Sequence, residues 1–221
     1  MDACQKAVME KQIETVIRNL ERNNMRGYYV PSRKDVPAQV EALLCEGDTV
    51  TVGGSMSLNQ SGVMDLLRSG RYRFLDRAAP GLTPEQVRQV YLDGFGADAF
   101  LSSTNAITLN GELYNVDGNA NRVACLCYGP RSVILVVGCN KIVADLHAAQ
   151  IRVKRVAAPE NVARLSCETY CAHTGFCQGL EGEMTDGCRT PGRICCTYLV
   201  QGYQREAGRI KVILVGEELG Y

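Results

Sequence analysis

The sequence predicts an α/β fold with a mainly parallel, Rossmann-like central sheet. Short β-branched runs alternate with stretches of helical periodicity, as in strands joined by helical crossovers. SVILVVG at 132–138 is a continuous apolar run, and KVILVGEELGY at 211–221 supplies another apolar strand. Such runs are typical of strands buried on both faces. The 221 residues suffice for one large domain, and we expect it to span 1–221.

The N-terminal half supplies alternating helices and strands. Residues 3–22 form an amphipathic pattern, because Met9, Ile13, Val16, Ile17 and Leu20 recur at helical spacing. Strands are predicted at 27–30, 48–54 and 71–76, and helices at 35–45, 61–69 and TPEQVRQVYLDGF. The last helix has a clear start signal, since Thr83 caps it and Pro84 occupies its first position.

The C-terminal half is predicted to contain more strands. DAFLSS (98–103), AITLNG (106–111), ELYNVD (112–117) and VACLCYG (123–129) are interpreted as short strands. Asn110-Gly111 and Asp117-Gly118 are turn signals that indicate hairpins. A long helix is predicted over 140–156, and the last strand follows a cysteine-rich segment at 167–196 that we interpret as an insertion.

Composition and charge exclude several classes of function. The chain has 24 basic and 24 acidic residues and a net charge of zero, so no basic field points to nucleic acid. No apolar run approaches the roughly 20 residues needed to cross a bilayer, and the first residues lack the apolar core of an export signal. We therefore expect a cytoplasmic protein with neither nucleic-acid nor membrane partners. The sequence does not determine the oligomeric state, and a homo-oligomer is one of the alternatives.

The loop VGGSMSLNQSG (52–62) is the first candidate ligand site. Two glycines follow the predicted strand, and Ser55 and Ser57 come after them, before the next predicted helix. Glycines let backbone N–H groups approach an anion, and a helix start adds partial positive charge. In an open α/β sheet, ligands bind at the carboxyl ends of strands. The alternative is a tight strand–helix turn with a polar cap.

Two further loops follow predicted strands. The first is STNAITLNGELYNVDGNANRVA (103–124). Most of its polar residues are types that turns prefer, whereas Glu112 and Arg122 are less needed for turning. The candidate site residues in this loop are Asn105, Glu112, Asp117, Asn121 and Arg122. GCNKIV (138–143) places Asn140 and Lys141 at another strand end, where the lysine either meets an anion or is solvated. Three such loops favour a shared cleft.

Cysteines are concentrated in CETYCAHTGFCQGLEGEMTDGCRTPGRICC (167–196), which holds six of the eleven. Cytosolic thiols stay reduced, so clustering favours metal or redox chemistry over disulfides. Four thiolates suit either a four-iron cluster or tetrahedral zinc, and unmetallated thiols are the remaining alternative. Cys125, Cys127 and Cys139 lie in apolar stretches and are interpreted as core residues.

The chain resembles the LUD-domain (lactate-utilisation) family. The resemblance is carried by VGGSMSL, SSTNAITLNGELYNVDGNANRVACLCYGPRSVILVVGCNKIV, CAHTGFC, PGRIC and KVILVGEELGY. It implies a fold of the ribose-phosphate isomerase and CoA-transferase superfamily and a link to lactate or other organic-acid oxidation, beside iron–sulfur and flavin partners. It also implies that Gly53, Gly54, Ser55 and Ser57 grip a phosphate or carboxylate. A transferase-type catalytic carboxylate would be Glu112, with Asp117 as the other candidate.

The resemblance extends to the cysteines. Cys171, Cys177, Cys188 and Cys195 resemble the cysteine pattern of family members that have a cysteine-rich tail. The first and last intervals match that pattern, whereas the middle interval departs from it, because ten residues separate Cys177 from Cys188 here. It implies a [4Fe–4S] cluster on these four, with zinc as the alternative. Two functions follow: an anion-binding electron-transfer partner in organic-acid oxidation, or an acyl-CoA transferase or sugar-phosphate isomerase with structural zinc.

Overall fold

The computed structural model describes residues 2–221. Within that range ten strands form two sheets. The strands are β1 Arg26–Val30, β2 Thr49–Val52, β3 Arg73–Leu75, β4 Ala99–Ser102, β5 Ala106–Thr108, β6 Leu113–Asp117, β7 Ser132–Gly138, β8 Ile142–Val143, β9 Thr197–Gln201 and β10 Ile210–Val215. Six of them form a sheet in the order β1-β10-β7-β4-β2-β3, and every neighbouring pair is parallel. The predicted α/β class with a mainly parallel, Rossmann-like sheet is confirmed.

Helices flank this sheet. They are α1 Ala3–Arg22, α2 Val36–Glu41, α3 Met56–Gln60, α4 Val63–Leu67, α5 Pro84–Asp93, α6 Asn121–Cys127, α7 Leu146–Arg152, α8 Ala158–Leu165 and α9 Tyr170–Thr174. The predicted start of α5 is confirmed, because the Thr83 side chain accepts from the Gln86 N–H and Pro84 is the first helical residue. A π-helical turn, Val153–Ala157, joins α7 to α8. No helix among the described residues has the length and hydropathy to span a membrane.

The parallel sheet is buried on both faces, as the apolar run at 132–138 predicts. The amphipathic face of α1 packs on one side through Met9, Ile13, Val16 and Leu20. Alternate residues of β7 join that cluster, whereas Ile134 and Val136 join the cluster that contains α2 and α4. Burying one such aliphatic side chain contributes about 1.5–3 kcal/mol, so these two layers hold the sheet in place.

A second, four-stranded sheet has the order β8-β5-β6-β9. The predicted hairpin is confirmed, because β5 and β6 pair antiparallel across a turn in which Gly111 has φ +80°. A Cβ there would lie 2.8 Å from the backbone nitrogen of Leu20, so the turn packs directly against the end of α1. Strand β9 follows the cysteine segment and pairs antiparallel with β6, which ties that segment to this sheet.

The strand predicted at 123–129 is wrong, since residues 121–127 form α6. The Asp117 carboxylate caps this helix by accepting from the N–H groups of Arg122 and Val123, a tertiary feature that local sequence does not reveal. The change also corrects one interpretation of the cysteines: Cys125 is buried, but Cys127 is exposed.

The long helix predicted over 140–156 begins later than expected. A 3-10 turn, Cys139–Lys141, and the short strand β8 precede it. Helix α7 starts at Leu146, where the Asp145 side chain accepts from the Ala148 N–H. The delay leaves Lys141 in a loop at the carboxyl end of β7.

Candidate functional site

A cleft of about 530 Å³ opens at the carboxyl ends of the parallel strands. Its walls come from the loops that follow β2, β3, β4, β6 and β7, together with α5 and α8. Among the predicted ligand residues, those that line it are Gly54, Ser55, Asn105, Asn121, Arg122 and Lys141. The expected shared cleft therefore exists, and the role of these residues as ligands stays a prediction.

Three other predicted ligand residues, Gly53, Ser57 and Asn140, do not line the cleft and make contacts within the protein instead. A Cβ on Gly53 would lie 2.7 Å from the Ser102 hydroxyl, so this glycine lets β2 approach β4. Ser57 and Asn140 hold the last residues of the chain. Ser57 Oγ donates to the Leu219 carbonyl at 3.3 Å, and Asn140 Nδ2 donates to the Gly220 carbonyl at 3.0 Å.

Asp117 and Arg122 form a buried ion pair in the cleft wall. Arg122 Nε donates to Asp117 Oδ1 at 2.9 Å, and the other carboxylate oxygen caps α6. The guanidinium also donates to the side-chain oxygens of Asn115 and Asn105. Both groups are thus fully engaged within the protein. We conclude that they build the wall and that Asp117 is poorly placed to exchange protons with a substrate.

The backbone around this pair is constrained. Ala120, the residue before α6, has φ +59°, a conformation that costs an L-amino acid roughly 1–2 kcal/mol. The turn brings Asn121 to the cleft immediately after it. Local strain of this kind persists only where the surroundings enforce it, and here the Asp117 cap does so.

Lys141 is a buried amine at the floor of the cleft. Its side chain is 3% exposed, and its nitrogen donates to Ser103 Oγ at 3.0 Å, Ser57 Oγ at 3.1 Å and the Thr104 carbonyl at 3.3 Å. Burial, followed by the charges of Arg152 and Arg122, lowers the pKa of Lys141 to about 7. The amine therefore changes charge near neutral pH, and an anion entering the cleft would favour its protonated form.

Two arginines that no sequence pattern indicates complete the set of basic side chains in the cleft. Arg77 follows β3, and its guanidinium donates to the Tyr91 hydroxyl and lies 5.3 Å from the centre of that ring. Arg164, near the end of α8, donates to Asn161 Oδ1. Neither arginine belongs to a recognisable motif, because the two come from separate crossovers and meet only in the folded protein.

The charge of the cleft is strongly asymmetric. Among the described residues that line it, the basic side chains are Arg77, Arg122, Lys141 and Arg164, and the one acidic side chain is Asp117. Since Asp117 is paired with Arg122, the remaining three basic side chains face the cleft without an acidic side chain of their own there. Tyr221 also lines it; burial raises the pKa of its hydroxyl, and Arg164 partly opposes that shift.

Glu112 lies at the other end of β6. Its carboxylate accepts from Thr108 Oγ1 at 2.8 Å, as expected for two residues that bracket one turn. Strand β6 separates Glu112 from Asp117, and five residues of strand span about 17 Å. Glu112 is not among the cleft residues, so the two carboxylates proposed as catalytic are not brought together.

The cysteine segment folds against the second sheet. Cys171 lies on α9, Cys177 follows the left-handed turn at Gly175, and both sulfurs are buried together with that of Cys188. Cys195 is half-buried. Arg193 links the two later cysteines by donating to the carbonyls of Cys188 and Cys195. The four predicted ligands thus share one region of the structure.

Lys154, on the π-helical turn, contacts the ten-residue segment between Cys177 and Cys188. Its buried ammonium group donates to the carbonyls of Gly179 and Glu183, both at 2.5 Å, and of Gly182 at 3.3 Å. The Lys154 carbonyl in turn accepts from the Cys177 N–H. The extra residues therefore fold back over the helix as an ordered loop and keep the flanking cysteines close.

The sulfur environment suits thiolate ligands by its chemistry. The Gly179 N–H donates to Cys177 Sγ at 3.4 Å, and the hydroxyls of Thr169 and Thr190 lie 3.4 and 3.8 Å from the sulfurs of Cys171 and Cys188. Burial raises the pKa of Cys171 and of Cys195, and the charges of Cys177 and Cys188 add to both shifts. Thiolates in such surroundings need a positive partner.

The side chains are not arranged as a finished coordination shell. Across residues 2–221, no three His, Cys, Asp or Glu side chains are positioned to hold one metal ion. His173 points elsewhere, with Nε2 3.2 Å from Glu168 Oε2 and a side chain 67% exposed. Cys167 is half-buried and Cys196 is exposed. The donor set fits a metal or cluster by residue type and shared neighbourhood, and the side chains would have to rearrange to coordinate it.

Fold and site together define an α/β protein with a basic strand-end cleft and a separate group of buried thiols. The family model described as "LUD domain" matches residues 13–215, so the chain belongs to the LUD-domain family. No curated protein matches it. A crystal structure of a DUF162 family protein from Deinococcus radiodurans is similar, with 19% identity, a TM-score of 0.49, and coverage of 95% of this chain and 98% of that chain.

Proposed function

We propose that the cleft binds a small anionic metabolite, and that the family setting makes an organic acid such as lactate the first class to test. One observation carries this proposal: three basic side chains, Arg77, Lys141 and Arg164, line a cleft whose single acidic side chain is already paired. A cleft lined by one sign of charge concentrates ligands of the opposite sign. The family membership supports the setting.

The cleft residues have distinct roles in this proposal. Arg77 and Arg164 offer planar, multiple donors, which suit bidentate contact with a carboxylate or phosphate. In its protonated form, Lys141 supplies a positive charge at the floor of the cleft. Asn105, Asn121 and Ser55 line the walls as polar groups, and the Asp117–Arg122 pair holds those walls in position.

Calorimetry with wild-type protein and paired arginine variants tests this function. We expect lactate or a related acid to bind, and expect Arg77→Gln and Arg164→Gln each to weaken binding by about tenfold or more, since a hydrogen bond to a charged group contributes about 1.5–3 kcal/mol. Arg18→Gln is the matched control, because Arg18 is an exposed residue of α1. Equal affinity in all four proteins would refute the assignment.

We propose further that Cys171, Cys177, Cys188 and Cys195 hold a [4Fe–4S] cluster, and that the protein assists organic-acid oxidation beside iron–sulfur or flavin oxidoreductase subunits. Three buried sulfurs and the hydroxyl and N–H groups that contact them support this site. Such a cluster would transfer single electrons, at a potential set partly by those hydrogen bonds. Zinc is the alternative occupant of the same sulfurs.

Anaerobic purification with metal and sulfide analysis decides between these occupants. A brown protein with about four irons per chain supports the cluster, and Cys177→Ser should lose it. Cys45→Ser is the control, since Cys45 is exposed and lies outside the segment. A colourless protein with one zinc per chain would contradict the electron-transfer role. The transferase or isomerase alternative gains no support from the geometry, because Glu112 lies outside the cleft and Asp117 is engaged.

A further inference from the structure

Ser103, Lys141 and Ser57 form a buried chain of polar contacts at the floor of the cleft. The Lys141 nitrogen lies 3.0 Å from Ser103 Oγ and 3.1 Å from Ser57 Oγ. The two serine oxygens are 3.4 Å apart. None of the contacts that fix this lysine involves a carboxylate. Anion binding alone does not require a serine in contact with the lysine.

The two serines differ in access. Ser103 lines the cleft, whereas Ser57 is fully buried and donates to the Leu219 carbonyl. Ser57 and the Thr104 carbonyl therefore orient the lysine, and Ser103 presents its oxygen to the cleft. A nucleophile within hydrogen-bond reach of a base, with that base oriented by a third group, is the arrangement that activates a serine.

We propose that Ser103 is a nucleophile that accepts an acyl group from an ester or thioester of a small anionic acid, with Lys141 as its general base. Ser103 Oγ would form a bond to the acyl carbonyl carbon while its proton moves to the uncharged Lys141 nitrogen. The bond to the alcohol or thiol then breaks, and that leaving group takes the proton. Water attacks the acyl-serine, Lys141 accepts its proton and returns it to Ser103, and the free acid is released.

The surroundings of Lys141 favour this use. Burial lowers the pKa of the lysine, and the charges of Arg152 from α7 and Arg122 from α6 lower it further. Arg122 is itself paired with Asp117. An amine that loses its proton near neutral pH can accept one from a serine, a role that an ordinary lysine cannot fill.

The choice of acyl group rests on the proposed function. Arg77 and Arg164 line the same cleft as Ser103, so an acyl group that carries its own carboxylate would be held with its carbonyl near the serine. The nucleophile itself does not depend on these arginines, which makes the two proposals separable by experiment.

The test is labelling of the full-length protein with a small fluorophosphonate, followed by intact-mass measurement and peptide mapping. We expect one adduct, on Ser103, and a labelling rate that rises as the pH passes through neutrality. Lys141→Arg keeps the charge but removes the base, and should slow labelling by about 100-fold or more. Ser103→Ala should abolish the adduct, whereas Ser69→Ala, which changes an exposed serine outside this group, should label as the wild type does.

Folded wild-type protein without an adduct on Ser103 would overturn the proposal, as would an equal rate in Lys141→Arg. If the lysine variants do not fold, the wild-type pH profile decides, and a rate that stays constant between about pH 6 and about pH 8 counts against it. Labelling of Ser103 without calorimetric anion binding would refute the proposed function alone. Anion binding without labelling would refute the nucleophile alone.

Discussion

Asp117 Oδ1 lies 2.8 Å from Arg122 Nη2 in an ion pair whose side chains are only 9% and 10% exposed. The same carboxylate caps α6, and the same guanidinium donates to the Ser103 carbonyl in the loop after β4 and to the Val116 carbonyl in β6. One pair thus fixes the start of a helix and two walls of the cleft. The contribution of this pair to the free energy of unfolding can be measured directly.

Asp117→Asn should destabilise the protein by about 3–5 kcal/mol, because it leaves the Arg122 charge buried without a counter-charge. Urea denaturation measures the loss. Glu14→Gln, on the exposed face of α1, is the control and should stay within about 0.5 kcal/mol of wild type. A similar small effect for Asp117→Asn would show that the pair does not hold the cleft.

Lys154→Met should release the loop between Cys177 and Cys188. The variant loses three hydrogen bonds to backbone carbonyls, and each such bond to a charged group contributes about 1.5–3 kcal/mol. Thermolysin should cleave the segment at least about tenfold faster, since proteolysis follows the population of the opened form. Lys11→Met, at an exposed position of α1, is the comparison, and cleavage at its rate would contradict the role of Lys154.

Lys141 should make stability increase with pH above neutrality. Burial lowers its pKa from 10.5 to about 7, so between these values the unfolded chain holds a proton that the folded protein has released. Stability then rises with pH, by at most about 1.4 kcal/mol per unit from this group.

The Lys141 contribution is isolated by comparison with Lys141→Met, whose stability should vary less between about pH 7 and about pH 8.5. Above that window the buried cysteines and tyrosines, whose pKa values burial raises, act in the opposite direction. Denaturation curves for both proteins at each pH provide the measurement. Parallel curves would mean that the lysine keeps an ordinary pKa.

Gly111→Ala should be more damaging than Gly47→Ala. Both glycines have positive φ, +80° and +83°, so each substitution carries a backbone cost of about 1–2 kcal/mol. Only at Gly111 would the new Cβ meet backbone, 2.8 Å from Leu20 N, which should add about 1–3 kcal/mol. Thermal or urea unfolding compares the two. Equal losses would show that the hairpin turn is not packed tightly on α1.

Local patterns in the sequence were sufficient to predict the elements whose burial follows from periodicity. The face of α1, the buried run of β7 and the hairpin at Asn110-Gly111 were predicted correctly, because spacing and turn chemistry determine them. Helix α6 was predicted as a strand, since its start depends on a carboxylate from β6. Strand β9 was not predicted, because its pairing with β6 is a long-range contact that no local pattern indicates.

The candidate site was only partly predictable for the same reason. Gly54, Ser55, Asn105 and Lys141 follow strands, and the ends of parallel strands meet at one edge. Arg77 and Arg164 are two of the four basic residues that line the cleft. In the sequence, however, nothing distinguishes either of them from an arginine on the surface. Their convergence is a property of the tertiary fold, as is the contact between Lys141 and Ser103.

We propose above all that Arg77 and Arg164 bind a carboxylate in the strand-end cleft. The most direct measurement is a crystal structure of the protein with the tightest-binding acid from the calorimetric screen. We expect the carboxylate to lie about 3 Å from one or both guanidinium groups, at hydrogen-bond distance. An acid bound outside the cleft, or one whose carboxylate faces away from both arginines, would contradict the account.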